Sequence, residues 1–149
     1  HQWKQNPKYV AGDIKKSAVA NAVVDITALT YPDNEFDVIV CNHVLEHVQE
    51  DAKGMAECFR VMKPGGDGIF SVPMDVSAEE TWNPPPGTPQ AEIERICGRT
   101  HVRLYGLDFP KLLASHGFVA EEILFSQEEN EKHRLAAEKV YVVRKPAAN

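Results

Sequence analysis

The strongest constraint on the fold is an almost uninterrupted apolar run at residues 36–41, FDVIVC. The turn-forming residues YPDN precede it at positions 31–34, and the polar pair Asn42-His43 follows it. A short apolar run that does not alternate with polar residues is typical of a strand buried on both faces of a parallel sheet. Parallel strands are joined by crossover connections that are usually helices, so the run predicts an α/β layered fold.

The other patterns in the chain fit a fold of this kind. Met55, Phe59 and Met62 recur at spacings of four and three, which gives one helix an apolar face. Asp51 is a candidate N-cap for that helix, and the KPGG sequence at 63–66 is a candidate stop. Residues 75–106 have no strong period, which is typical of a functional or mobile segment. The predicted strands are 8–14, 21–27, 36–41, 68–73, 118–125 and 139–144, the last two antiparallel, and the predicted helices are 51–62 and 108–116, with room for a helical turn in 127–138.

Composition excludes several classes of partner. The chain has 149 residues, the size of one domain, and its 22 acidic and 16 basic residues give a net charge of −6. An acidic chain without a dense basic run is poorly suited to bind nucleic acid or an anionic lipid surface, and no apolar stretch is long enough to span a bilayer. The three cysteines form no Cys-x-x-Cys pair and no signal-peptide pattern opens the chain, so we expect reduced thiols and a cytoplasmic protein.

Asn42 and His43 are candidate binding residues because ligands of open α/β sheets lie beyond the carboxyl ends of the strands. The simpler alternative is that Asn42 begins a turn and His43 packs locally. Residues 43–47 also match the HxxEH pattern of inverted zinc proteases, in which two histidines on one helix face share a metal. That pattern is short and needs a further ligand on a later helix, so we treat a zinc metalloprotease as a minor alternative and expect no metal.

The order of the motifs resembles the second half of a class I S-adenosylmethionine-dependent methyltransferase. PDNEFDVIVCNHVLEHV, a helix, and then RVMKPGGDGIFSVP follow one another as the acidic turn, strand, polar segment, helix and LKPGG-type turn do in that family. The resemblance extends over residues 8–144 and is strongest at 33–73. It implies a Rossmann-like, mainly parallel sheet with helices on both faces and an antiparallel C-terminal hairpin. It also implies S-adenosylmethionine as cofactor and methyl transfer to an acceptor, which we expect to be a small molecule.

The resemblance assigns the adenosine half of the cofactor to four residues. Asp13 corresponds to the acidic residue that accepts hydrogen bonds from the ribose hydroxyls. Asp25, Ile26 and Thr27 correspond to the segment that lines the adenine. The alternatives are a turn residue at the end of a strand for Asp13 and an ordinary core residue for Ile26.

The resemblance places the methionine end and the transferable methyl group against Asn42, His43 and Leu45. Methyl transfer is an in-line displacement that depends chiefly on orientation, and a base is needed only where the acceptor loses a proton. The candidate bases are His43, His47 and Tyr105.

Residues 101–105 lie in the region that often covers the acceptor pocket in this family. His101, Arg103 and Tyr105 alternate with apolar residues, so they would share one face of an extended segment. We expect them to contact the acceptor, the alternative being a surface loop held by its own hydrogen bonds.

The chain departs from the family in lacking a glycine-rich turn that leads into a helix within its first 60 residues. We therefore expect a partial, N-terminally truncated methyltransferase-like domain over residues 1–149, in which the strands containing Tyr9-Val10 and residues 38–40 lose a shared neighbour. Three outcomes are open: the two strands pair directly, a second copy pairs with the open edges as a homodimer, or the natural protein holds the missing half. The same departure supports a second function, a catalytically inactive interaction module.

Overall fold

Two separate sheets make up the β-structure of this computed structural model, which describes residues 5–133 and 139–147. The small sheet pairs β1 (Gly12–Asp13) in parallel with β2 (Ala22–Val23). The large sheet has the order β3-β4-β6-β5, in which β3 and β4 are parallel and the other two pairs are antiparallel. Its strands are β3 (Phe36–Asn42), β4 (Met62–Ser71), β5 (Val119–Ile123) and β6 (Val140–Arg144).

Four α-helices and the short 3₁₀ helix that follows β3 stand among these strands in the described residues. The helices are α1 (Asp51–Val61), α2 (Gln90–Cys97), α3 (Phe109–Ser115) and α4 (Gln127–His133), and the 3₁₀ helix is Leu45–His47. In the described part of the chain, no helix has the length and apolar character needed to cross a membrane. α2 lies inside the segment 75–106 that showed no period in the sequence, so that segment is more ordered than predicted.

The predicted α/β fold is confirmed, together with the strand at 36–41, the amphipathic helix and the C-terminal hairpin, but β3 is not buried on both faces as predicted. β3 and α1 lie within one residue of the predicted ranges, and β5 and β6 form the antiparallel pair. α1 packs Met55 and Cys58 into a core that also contains Phe70, Phe109 and Tyr141. The sheet is mixed rather than mainly parallel, and the strands predicted at 8–14 and 21–27 are reduced to the two-residue β1 and β2.

The KPGG sequence follows the end of α1, as predicted, but it lies within the next strand and not ahead of it. α1 ends at Val61, and Met62 is already extended and belongs to β4. The register between β3 and β4 jumps from Phe36↔Met62 to Val38↔Asp67, so residues 63–66 bulge out of the pairing. Proline and glycine suit a bulge because the missing N–H and the missing Cβ cost nothing where the ladder is already broken.

The outer edge of β3 carries no strand in the described residues. β1 pairs with β2 and not with β3, so the two strands do not close up on each other. Val38 and Val40 of β3 are consequently 44 % and 61 % exposed. An open space therefore separates the small sheet from the large one, and pairing of this edge with another copy stays a prediction.

Arg60 of α1 attaches the segment after β2 to the rest of the domain. Its guanidinium donates to the carbonyl oxygens of Leu29 and Tyr31, each at 2.8 Å, and its Nε donates to Glu57 at 2.7 Å. Glu57 in turn accepts a hydrogen bond from the backbone N–H of Leu29 at 2.8 Å. Residues 25–31 are thus fixed against α1 although they pair with no strand of the large sheet.

Candidate functional site

The space between the two sheets is a cleft of about 830 Å³. One wall comes from β1, β2 and the segment after them, and the opposite wall comes from β3 and the turn at its carboxyl end. Six of the residues singled out in the sequence line this cleft: Asp13, Asp25, Ile26, Thr27, His43 and His47. The carboxyl ends of β1, β2 and β3 therefore open into one cavity, although β3 belongs to the other sheet.

Asp25 sits on this wall in a tight local turn. Its Oδ1 accepts hydrogen bonds from the Thr27 hydroxyl at 2.7 Å and from the Thr27 backbone N–H at 2.8 Å. These two bonds hold the pKa of Asp25 below its usual range, with the hydroxyl contributing most. The carboxylate is therefore charged at neutral pH and is fixed in orientation. Asp13 is fixed in a similar way by the backbone N–H of Lys15, at 3.1 Å from its Oδ1.

Apolar side chains complete the cleft beside these carboxylates. Ile26 lies half-buried against the core, and Val38, Val40 and Val44 contribute from the side of β3. A cavity with charged acceptors at one end and a long apolar wall suits a ligand that carries hydroxyl or amine donors on an otherwise flat, apolar body.

Two predicted cofactor residues do not line the cleft. Leu45 is fully buried in the core, where Gly54 packs closely against it. Asn42 is exposed at the end of β3, opposite Ser71. The backbone of His43 takes a left-handed conformation, φ 52°, which turns the chain at this point. A linear pattern does not show that turn, and so the sequence could not separate His43 from its neighbours.

Glu46 forms a cluster with histidines that sequence reasoning missed. Its side chain is 1 % exposed, and one carboxylate oxygen lies 3.3 Å from His43 Nδ1 and 3.8 Å from His47 Nε2. The rings of His47 and His101 meet edge to face, with 4.8 Å between their centroids. The sequence contained one signal for this cluster, the spacing of three between His43 and Glu46, but nothing that revealed the burial of Glu46.

Tyr105 lies in the core and does not line the cleft. It is fully buried, and its hydroxyl donates to Asp51 Oδ2 at 2.7 Å. Burial first, and then the hydrogen bond to the Asp51 carboxylate, raise the pKa of Tyr105 far above its ordinary value. A neutral hydroxyl held in this way has no access to the cleft, so this arrangement does not support Tyr105 as a base.

Arg103 faces the same carboxylate as Tyr105. Its guanidinium forms an ion pair with Asp51 and donates to the carbonyl oxygen of Gln49 at 2.7 Å. Asp51 was predicted as an N-cap, but its carboxylate instead joins two side chains of the 101–105 segment to the start of α1. Arg103 and Tyr105 are therefore buried, whereas His101 is half-buried.

The HxxEH alternative requires a helix that does not form. Between β3 and α1 the structure has a three-residue 3₁₀ helix, Leu45–His47, and His43 precedes it with a positive φ. His43 and His47 are therefore not one turn apart on an α-helix, which is the arrangement that lets such a pair share a zinc ion.

Comparison with known sequences places the chain among methyltransferases. A family described as a methyltransferase domain matches residues 3–70. A probable S-adenosylmethionine-dependent methyltransferase from Mycolicibacterium smegmatis is 33 % identical over 101 residues, which are 67 % of this chain and 35 % of that protein. A phosphoethanolamine N-methyltransferase from Triticum aestivum is 30 % identical over 112 residues, 72 % of this chain and 20 % of that protein. The chain thus spans about a third or less of the length of these relatives.

Solved structures share the fold at low identity. A putative methyltransferase from Bacillus halodurans superimposes with a TM-score of 0.58 at 17 % identity, over 94 % of this chain and 82 % of that one. The cyclase SpnF gives a TM-score of 0.58 at 20 % identity, over 85 % of this chain and 57 % of that one. The Rossmann-like architecture is therefore confirmed, while the presence of a cyclase shows that this fold alone does not decide an activity.

Proposed function

We propose a function from one premise: this chain belongs to the class I S-adenosylmethionine-dependent methyltransferase family. The proposed activity of the protein is transfer of a methyl group from S-adenosylmethionine to a small-molecule acceptor. The observation that supports it is the single cleft onto which Asp13, Asp25 and His43 open from three different strand ends. A nucleoside needs hydrogen-bond acceptors and an apolar wall side by side, and this cleft offers both.

The residues of the cleft fit the adenosine part of this cofactor. Asp13 would accept hydrogen bonds from the ribose hydroxyls, and the fixed carboxylate of Asp25 would accept one from the adenine amine. Ile26 would pack against the adenine ring. When bound, the cofactor supplies a methyl group on a positively charged sulfur, and this sulfur is the leaving group when the methyl group is transferred. The contribution of this chain is to hold the nucleoside in place and to keep water from the reacting atoms.

His43 is the proposed proton acceptor for an acceptor that must lose a proton. It lines the cleft, and its Nδ1 lies 3.3 Å from the buried carboxylate of Glu46. A carboxylate at this distance stabilises the imidazolium that forms when the ring takes up a proton. Glu46 would therefore act as a positioning residue and His43 as the base.

A second candidate function, an interaction module that does not bind the cofactor, is supported by the glycine content of the cleft. Gly12 is the one glycine among the described residues that line it. A Cβ on Gly12 would lie 2.4 Å from Val24 Cγ2, so this glycine allows β1 and β2 to pack. It therefore contributes no close backbone approach to the methionine end of a ligand.

Calorimetric titration of the 149-residue chain with S-adenosylhomocysteine separates the two functions. Micromolar binding is expected if the chain holds the cofactor. Asp25→Ala should weaken that binding by about 10- to 100-fold, because a hydrogen bond to a charged group contributes about 1.5–3 kcal/mol. Absence of binding to the unaltered chain would favour the interaction module.

Asp75→Ala is the matched control for Asp25→Ala. The Oδ1 of Asp75 accepts hydrogen bonds from the Ser77 hydroxyl at 2.6 Å and the Ser77 N–H at 2.9 Å, which is the same local turn outside the cleft. Both variants lose an equivalent turn, and only Asp25→Ala should lose affinity. Equal loss in both would mean that the cleft is not where the ligand binds.

A further inference from the structure

Glu46 is a buried carboxyl group to which the described residues donate no hydrogen bond. Its side chain is 1 % exposed, and no described group donates a hydrogen bond to either carboxylate oxygen. A buried carboxylate without donors is strongly destabilising unless a cation lies against it. A metal ion bound beside Glu46 would give both of these oxygens a partner.

In their neutral forms, His47 and His101 each have one ring nitrogen without a hydrogen, and the lone pair of that nitrogen can bind a metal ion. His47 Nδ1 lies 3.0 Å from the carbonyl oxygen of Thr100, and His101 Nδ1 lies 2.7 Å from that of Cys97. A carbonyl oxygen only accepts hydrogen bonds, so both rings carry their hydrogen on Nδ1. The Nε2 atom of each ring then carries no hydrogen and can act as a metal ligand. The Nε2 atom of His47 lies 3.8 Å from a carboxylate oxygen of Glu46.

We propose that Glu46, His47 and His101 bind a divalent transition-metal ion of the zinc class. One ligand atom from each of the three side chains lies within 4.8 Å of the others. Ligand atoms around a tetrahedral zinc ion, each about 2.0–2.1 Å from the metal, are about 3.3 Å apart, so the most widely separated pair must approach by up to about 1.5 Å. His47 is 41 % exposed and His101 is half-buried, so small shifts of both rings can close this gap while each Nδ1 keeps its backbone carbonyl partner.

The chemistry of the donors favours this class of ion. Two imidazoles and one carboxylate form the donor set of zinc sites that keep a fourth position open for water or another ligand. A histidine ligand usually donates its other ring N–H to a carbonyl or carboxylate, and Thr100 and Cys97 provide such carbonyls here. The cation would also give the two buried oxygens of Glu46 a partner.

The site differs from the HxxEH arrangement in its third ligand. His101 comes from the segment after α2, whereas the sequence pattern would have used His43. His47 lines the cleft, so the open coordination position would face its rim. Metal binding does not depend on methyl transfer. A test with metal alone can therefore refute the metal site without bearing on the methyltransferase proposal.

The test is zinc binding by the 149-residue chain, purified without a polyhistidine tag. After incubation with Zn²⁺ and gel filtration, elemental analysis should give one equivalent per chain. Cobalt substitution should give the intense visible absorption of a site with four or five ligands. Failure to retain zinc, or a cobalt spectrum as weak as that of the hydrated ion, would overturn the proposal.

Variants locate the site. His101→Ala and Glu46→Gln should each weaken zinc binding by at least about tenfold, the lower end of what loss of an outer-shell partner costs. His116→Ala, outside the cluster, is the matched control and should bind as the unaltered chain does. Equal affinity of His101→Ala and His116→Ala would refute the assignment. If Glu46→Gln does not fold, His101→Ala and the cobalt spectrum still decide.

Discussion

Replacing Asp51 with alanine should lower the free energy of unfolding by about 3–5 kcal/mol, the range found when one partner of a buried ion pair is removed. The side chains of Asp51 and Arg103 are 13 % and 7 % exposed, so water compensates little for the loss. Arg103 would keep its hydrogen bond to the Gln49 carbonyl oxygen, while its Nε already has no partner among the described residues. The variant would therefore bury a guanidinium without a counter-charge.

Tyr105→Phe isolates one part of the same network. It removes the hydroxyl that donates to Asp51 Oδ2 at 2.7 Å but leaves the ion pair, so we expect a loss of about 1.5–3 kcal/mol. The double variant should lose less than the sum of the two single variants, because both act on the same carboxylate.

Urea unfolding followed by circular dichroism measures these differences, with the slope of the transition as a check that the unfolded state is unchanged. Glu50→Ala is the control. Glu50 neighbours Asp51 and pairs with Lys53 while 60 % exposed, so its loss should cost less than about 0.5 kcal/mol. If Asp51→Ala and Glu50→Ala are equally stable, the network does not stabilise the fold and the reasoning fails.

Three further predictions follow from burial and close packing. The raised pKa of Tyr105 means that the unfolded chain ionises first above about pH 10, so the stability advantage over Tyr105→Phe should shrink there in urea titrations; a constant difference would contradict this. Gly106→Ala places a Cβ 2.5 Å from the Glu80 carbonyl carbon, and should lower the urea midpoint by the equivalent of about 1–3 kcal/mol; an unchanged midpoint would count against the packing. All three cysteines are buried, so a thiol reagent at neutral pH should label them in urea but not in the native chain, and fast native labelling would show an open core.

The elements that could be predicted from the sequence are those whose signal is local. Residues 36–41 read as a buried strand because no polar side chain interrupts them after Asp37, and α1 shows its apolar face through Met55 and Phe59. The start of β4 at Met62 could not be predicted, since the bulge at 63–66 depends on pairing with β3 and with the region of Lys145. Local propensity is overridden by tertiary context at such positions.

The location of the candidate site could be predicted from the sequence, but the burial of the residues around it could not. Asp13, Asp25 and His43 could be placed together from the rule that ligands lie beyond the carboxyl ends of strands, although β3 belongs to a different sheet from β1 and β2. The alternation of His101, Arg103 and Tyr105 predicted a common face, but periodicity does not say whether a side chain points to solvent or to the core. The burial of Glu46 depends on residues more than fifty positions away, such as Val102, whose N–H donates to its carbonyl oxygen at 2.8 Å.

Arg60 determines how costly it is for the cleft to receive a ligand. By holding the carbonyl oxygens of Leu29 and Tyr31, it keeps the free-standing wall of the cleft in position before anything enters. The conformational entropy of that segment is lost when the chain folds, and so it is not lost again on association. The guanidinium of Arg60 therefore preorganises one wall of the cleft without lining the cleft itself.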